Sequence, residues 1–248
     1  FLTSLVHTQS RVDGRIVDKS TSKPLVGVNI FFSKTTFGST TDENGFYTLL
    51  NIPPGQYELV VSMIGYEIEK EEMIIADDER FKMNFRLKSR AILMNEINVT
   101  AKTDKVWKKN YSTFKRAFLG STKNGESCTI VNEFVLSFSS NENLFKAQAS
   151  QPLTIENPEL GYIITYLLDS FEIKDKEVRY AGDLYFEELE PISNRQRSKW
   201  NKNRLKAYRG SLRHFLTTLN ERYSLRFEII HDKVIERENW RRISGRRK

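Results

Sequence analysis

The sequence predicts an all-β sandwich over roughly its first hundred residues, followed by an α+β domain. Three observations carry this. Apolar residues alternate with period two in short runs between residues 11 and 88. Clusters of Gly, Pro, Asn and Asp break those runs about every ten residues, the rhythm of a sandwich. Beyond residue 101, two helical patterns flank a second strand-rich stretch.

The first strand is "RVDGRIVD", with Val12 and Ile16 two pitches apart and Gly14 between them. "KSTSKPLVG" makes a turn, and "VNIFFS" follows with Val28, Ile30 and Phe32 on one face. Asp42-Glu-Asn-Gly45 is a hairpin corner: Asp and Asn bond their own backbone, and Gly45 accepts positive φ. "FYTLL" is a short strand closed by Pro53-Pro54-Gly55, which cannot continue a ladder. "QYELVVSMIGY" turns Tyr57, Leu59 and Val61 inward, and "RFKMNFRL" repeats the rhythm at Phe81, Met83, Phe85 and Leu87.

At 248 residues, with 39% hydrophobic and 29% charged, the chain can bury a core and is not disordered throughout. No apolar run approaches the roughly 18 residues of a membrane helix, and no series of regular strands of about ten residues suggests a membrane barrel. "FLTSLVHTQS", residues 1–10, reads as the end of a leader, with Val6 and Thr8 at the −3 and −1 positions of a cleavage before Gln9. Cys128 is alone and reads as a small buried apolar residue. The net charge of +7 is uneven: residues 195–248 hold 17 Lys/Arg against 5 Asp/Glu, and the first 194 hold 22 against 27.

Gly14, Val17, Pro24-Leu25, Gly27-Val28, Gly38, Thr41-Asp42, Gly45-Phe46, Leu49, Ile52-Pro53, Gly55, Tyr57, Leu59 and Gly65-Tyr66 resemble the carboxypeptidase regulatory-domain-like module. The resemblance covers about residues 11–88 and implies a seven-stranded, transthyretin- or immunoglobulin-like sandwich. "ILMNEINVTAK" is similar to the segment joining this module to the plug of starch-utilisation-type TonB-dependent outer-membrane transporters, although no plug follows. The first domain with its linker is therefore set at 11–101 and the second at 102–248. In the enzymes that carry it, the module is a non-catalytic appendage. A zinc carboxypeptidase needs two His and a Glu around its metal. Only His7, His214 and His231 occur here, without a His-x-x-Glu pair. No catalytic residue, metal or cofactor is expected.

In the second domain, Trp107, Tyr111, Phe114 and Phe118 step by 4, 3 and 4, giving one face of a helix with Asp104 to cap it and Gly120 to end it. Residues 125–190 are strand-rich, with four to six strands expected. Two lie around Ser139–Asn143, and the continuously apolar "GYIITYLLDSF" reads as the central one. Glu187, Glu188 and Glu190 raise a paired-carboxylate reading, but neighbours on a strand point to opposite faces, and a solvated acidic edge is expected. A long basic amphipathic helix is expected over 194–223, stepping through Leu205, Tyr208, Leu212, Leu219 and Tyr223, with Ser193 or Asn194 as its cap.

Its Arg204, Lys206, Arg209 and Arg213 are candidates for contact with anionic lipid or lipopolysaccharide phosphates. Tyr47, Tyr57, Tyr66 and Trp107 form a ligand platform if their rings face solvent. The resulting expectation is a non-enzymatic exported protein of the periplasm, outer membrane or cell surface, docking an envelope protein partner through its sandwich. The alternatives are a carbohydrate-binding accessory of glycan uptake and a hydrolase in the C-terminal domain. Nucleic acid is not expected, because no groove-entry motif or stacking arrangement is present.

Overall fold

Period-two alternation becomes two facing four-stranded sheets. The computed structural model describes residues 10–90, 105–141, 143–209 and 211, and the strand pair Phe227–Ile230 and Lys233–Glu236. The first strands are β1 (Ser10–Asp18), β2 (Asn29–Phe32), β3 (Gly38–Thr40), β4 (Phe46–Ile52), β5 (Gly55–Ser62), β6 (Glu69–Ile75), β7 (Arg80–Lys82) and β8 (Phe85–Leu87). One sheet runs β4-β1-β7 with β8 also on β1; the other runs β3-β2-β5-β6. Val12, Ile16, Ile30, Phe32, Leu59 and Val61 fill the space between them without solvent exposure.

Ser10, read from sequence as part of a leader, is the first residue of β1. Its hydroxyl donates to Ala76 O at 2.7 Å and accepts the Glu79 amide at 2.9 Å. Residues 1–9 lie outside the described residues. At the Asp42 corner, one carboxylate oxygen accepts the amides of Asn44 (2.9 Å) and Phe46 (2.8 Å), and Gly45 takes φ +76°.

Eight strand segments stand where seven were expected, because the ladder parallel to β1 is interrupted between β7 and β8. There the Met83 amide donates to Asp13 O at 2.8 Å, and the Asn84 side chain accepts the Arg15 amide at 2.9 Å. Gly14 makes this possible. A Cβ at that position would lie 1.6 Å from the Met83 carbonyl oxygen.

The chain continues with α1 (Lys105–Leu119), α2 (Lys123–Ser127), β9 (Thr129–Ile130), β10 (Leu136–Ser140), β11 (Leu144–Ala149), β12 (Leu153–Asn157), β13 (Tyr162–Lys174) and β14 (Glu177–Glu188). β13 is central. It pairs with β12 through Tyr162–Tyr166 and with β11 through Phe171–Lys174 on one side, and with β14 along its length on the other. Of the two strands expected around Ser139–Asn143, the first is preceded by an interruption between Ile130 and Leu136 where a continuous strand could have run. Asn132 donates its side-chain amide to Pro152 O and accepts the Thr154 amide, both at 2.8 Å, so a 3-10 turn, Glu133–Val135, replaces it. Phe114 and Phe118 of α1 are core residues, set edge-on to Phe171 (4.7 Å) and Tyr166 (4.9 Å) respectively. Gly120, φ +79°, ends the helix with its amide on Arg116 O at 3.1 Å.

The chain divides into two units after Glu190, so the sandwich and the second sheet, expected as separate domains, form one. The reason is a seam on the outer face of the β3-β2-β5-β6 sheet. Phe31 and Val60 point away from the sandwich core, yet are buried against Leu167 and Tyr185. Tyr166 and Leu167 point to opposite faces of β13, one towards α1 and the other towards the sandwich. This explains the unbroken apolar run of β13: both of its faces are covered.

Backbone bonds stitch the seam, Lys34 N–H to Leu184 O at 2.8 Å and Phe186 N–H to Thr35 O at 3.0 Å. Beside it Asp183, with its side chain 6% exposed, ion-pairs with Lys70 and accepts the Ser33 hydroxyl at 3.0 Å; Asp169 stands 3.6 Å from the same ammonium. Burial works against the Lys70 charge, but Asp183 more than compensates and raises its pKa. Glu58 joins by hydrogen bonding Asp183. Burial first, then Asp183, push its carboxyl above the ordinary 4.5.

The second unit, Pro191–Lys248, contains α3 (Asn194–Arg209) and the antiparallel pair β15 (Phe227–Ile230) and β16 (Lys233–Glu236). Ser193 accepts the Gln196 amide at 3.2 Å, and Gln196 reaches back to the Ile192 amide at 2.8 Å, an arrangement close to a capping box. The helix expected over 194–223 ends at Arg209, and Ser211 is a bend whose amide donates to Tyr208 O at 2.9 Å; residues 212–223 lie outside the described residues.

Gly14→Ala is expected to lower unfolding stability by about 3 kcal/mol, because backbone must move to admit the methyl. Denaturant unfolding of the full chain measures it. Glu58→Gln is expected to stabilise the protein at neutral pH. The raised pKa of Glu58 means that proton binding favours the fold; its stabilising contribution is present below about pH 4.5 and is lost as pH rises through the folded value. The gain over wild type in melting temperature should therefore be largest at pH 7 and vanish towards pH 4.

Candidate binding groove

The residues singled out from sequence do not converge. Tyr47 is buried, with its hydroxyl on Met83 O at 2.9 Å, so it cannot offer a ring to solvent. Alternation places it inward with Leu49. Tyr57 is half-buried, packs on Phe32 at 4.8 Å and donates to Pro53 O at 2.9 Å. Tyr66 is half-buried and donates to Asp18 at 3.1 Å. The Thr21 amide, at 2.7 Å, is the main reason the Asp18 carboxyl is held below its usual range. All three tyrosines are thus engaged in holding the sandwich together, and no platform forms there.

Arg204, Lys206 and Arg209 lie on α3, whereas Arg213 and His214 fall outside the described residues. Lys206 and Arg209 share a side of that helix. Arg204 is turned about 160° away from Lys206, at 100° per residue, so the three do not form one contact. Glu187 and Glu188 are exposed at the end of β14, and Glu190 follows, exposed. Among the described residues, no three His, Cys, Asp or Glu side chains are placed to hold a metal ion. Nor is any helix there long and apolar enough to cross a membrane, which says nothing of a β-barrel. Cys128 is buried, and burial raises its thiol pKa.

Trp107 is the exception. It lines a groove of about 710 Å³ between the first turns of α1 and the β9 end of the second sheet. Its ring stacks on Tyr111 at 5.2 Å and 9° and leans on Phe138 at 5.7 Å, and its Nε1–H donates to Leu136 O at 3.4 Å. Facing it are Ile130, Val131 and Phe134, the last two about half exposed. Glu133 and Glu156 supply carboxylates and Lys108 the ammonium. The Tyr111 hydroxyl donates to Glu133; burial first, then that carboxylate, raise its pKa. The groove therefore offers an apolar wall beside two acceptors, suited to a ligand with an apolar face and hydrogen-bond donors or positive charge.

The helical aromatic spacing pointed to Trp107. Glu133, Phe134 and Glu156 carried no such signal. They meet only because Asn132 ties the 3-10 turn to Pro152 and Thr154, some twenty residues on.

Comparison with known proteins adds the following. Residues 12–99 match the family model described as CarboxypepD_reg-like domain. No curated protein sequence matches the chain. Similar solved structures include a type II cohesin–X-dockerin complex from Acetivibrio cellulolyticus, at TM-score 0.27 and 19% identity, with 31% of this chain and 52% of that chain covered. A 5-hydroxyisourate hydrolase from Klebsiella pneumoniae is matched at 0.28 and 17%, over 34% of this chain and 93% of that one. A candidate carbohydrate-binding protein from Bacteroides uniformis is matched at 0.26 and 10%, over 64% and 60%. Likenesses of that degree fix neither partner nor chemistry. The family match is of another kind, since it spans the module whose motif residues set the corners and core of both sheets. The N-terminal sandwich, β1 to β8, is therefore the part of this chain that is similar to a CarboxypepD_reg-like domain.

Proposed function

We propose that this chain is a non-enzymatic binding protein of the bacterial envelope, exported to the periplasm or outer-membrane surface. The sandwich is its scaffold, and the Trp107 groove takes a segment of a protein partner. The observation that carries this reading is the groove itself, with exposed apolar Val131 and Phe134 beside Glu133 and Glu156. The location is supported by the module's resemblance to those of exported bacterial proteins.

Two features of the sandwich move docking from it to the groove. The outer face of its β3-β2-β5-β6 sheet is occupied by Leu167 and Tyr185. Its β6 edge opens with Glu69, Lys70, Glu71 and Glu72, charges that discourage pairing with another strand. An apolar segment flanked by Lys or Arg fits the groove's wall and carboxylates. A glycan is the second reading, favoured by the indole of Trp107 beside two acceptors for hydroxyl groups.

The test presents the full chain to a peptide array and a glycan array. The peptide reading expects retention on apolar–basic peptides, weakened about tenfold by Glu133→Gln with Glu156→Gln, and weakened also by Phe134→Ala. Retention on glycans with loss in Trp107→Phe would replace it by the second reading. Retention on neither would remove both.

A further inference from the structure

Helix α3, Asn194–Arg209, reads NRQRSKWNKNRLKAYR, with seven cations and no acid. Stepping about 100° per residue sets Arg195, Lys199, Lys202, Lys206 and Arg209 in one stripe within an arc of about 80°. All five are exposed. Arg197 and Arg204 lie on the far side, and Trp200, the helix's buried residue, stands about 140° from Arg195. The five cations follow one another every 5 Å or so over about 21 Å of axis.

Like charges at i,i+3 and i,i+4 repel across a helix surface. Every neighbouring pair in this stripe has that spacing, and α3 itself carries no Asp or Glu. A surface of opposite charge would ease that repulsion. Its shape is also defined: a straight row within a narrow arc can meet a plane with all five side chains at once. A duplex groove would instead close on both flanks of the helix and call for contacts to base edges. Leu205 lies about 40° beyond the Arg209 edge of the stripe and is 48% exposed. An apolar side chain beside a cationic row is the pattern of a helix lying in a membrane interface, with the cations at headgroup level and the apolar flank dipping below.

We propose that this face of α3 seats on an anionic phospholipid surface, with the five side chains engaging headgroup phosphates. The geometry of α3 carries this, independently of what occupies the Trp107 groove. Each cation held near such a surface contributes about fivefold in affinity, and the attraction decays within about 10 Å at 0.1 M salt.

The test is co-sedimentation of the full chain with vesicles of phosphatidylcholine alone, and with vesicles of about three parts phosphatidylcholine to one of phosphatidylglycerol. Binding is expected only to the second, and should fade between about 0.1 and 0.5 M salt. Lys202→Gln with Lys206→Gln should weaken it about 25-fold, whereas Arg197→Gln with Arg204→Gln should change it less than about threefold. Gln keeps nearly the helix propensity of Lys and Arg, and circular dichroism checks that both variants fold. Should either variant misfold, the lipid and salt dependence of the wild type still decides. Equal binding to both vesicle types, or equal loss from both pairs of substitutions, would overturn the proposal. Tighter retention on a duplex oligonucleotide at the same salt would replace the membrane by nucleic acid and overturn it too.

Discussion

Everything in the larger unit depends on the burial of one sheet face that alternation alone would leave in water. Phe31 and Val60 project from the sandwich, away from its core, and meet Leu167 and Tyr185. Exposing four such side chains would forfeit several kcal/mol of apolar burial, at about 1.5–3 kcal/mol for each fully buried large residue. The contact makes β13 a two-faced strand and turns a sandwich plus a sheet into a stack: two sandwich sheets, the second sheet, and α1 over it.

The polar edge of this seam sets its register. Apolar contact is non-directional, so it would tolerate sliding of β14 along the β2 side. The two backbone bonds at Lys34 and Phe186, and the pairing of Lys70 with Asp183, tolerate far less. Asp183 is the most deeply buried of the charges there, and a buried carboxylate without its ammonium and hydroxyl partners is costly. Glu58 adds a third carboxyl beside Asp183 and Asp169, and its burial first, then Asp183, raise its pKa. The Trp107 groove inherits its geometry from the same stack. α1 forms one wall, and its stripe is anchored by Phe114 and Phe118 on β13, so Trp107 at the start of the helix is held against the β9 end of the sheet.

The sandwich was legible because its signals are local. Gly45 and Asp42 make their corner within five residues, and Ile30, Phe32, Leu59 and Val61 face the core by period two. The interruption at Met83 was not, since it depends on Gly14, nearly seventy residues earlier. Nor was the inclusion of the second sheet in the first unit, because Phe31 and Leu167 read as ordinary strand hydrophobes until they meet. Tyr47 misled for a related reason: an aromatic at an inward position looks the same in sequence as one on a rim, and only its bond to Met83 O distinguishes them. In the groove, helical spacing exposed Trp107, whereas Glu133 and Glu156 needed the long-range ties of Asn132 to come together.

Charge separates the two units as sharply as packing joins the parts of the first. Through Glu190 the chain carries 22 Lys/Arg against 27 Asp/Glu, and all of the excess positive charge lies beyond it. An anionic surface therefore attracts one unit and repels the other, whatever their mutual placement. The five-cation stripe of α3 gives the basic unit a cationic face, whereas the Trp107 groove is lined by two carboxylates and one ammonium. The two surfaces thus differ in the sign of charge that they favour.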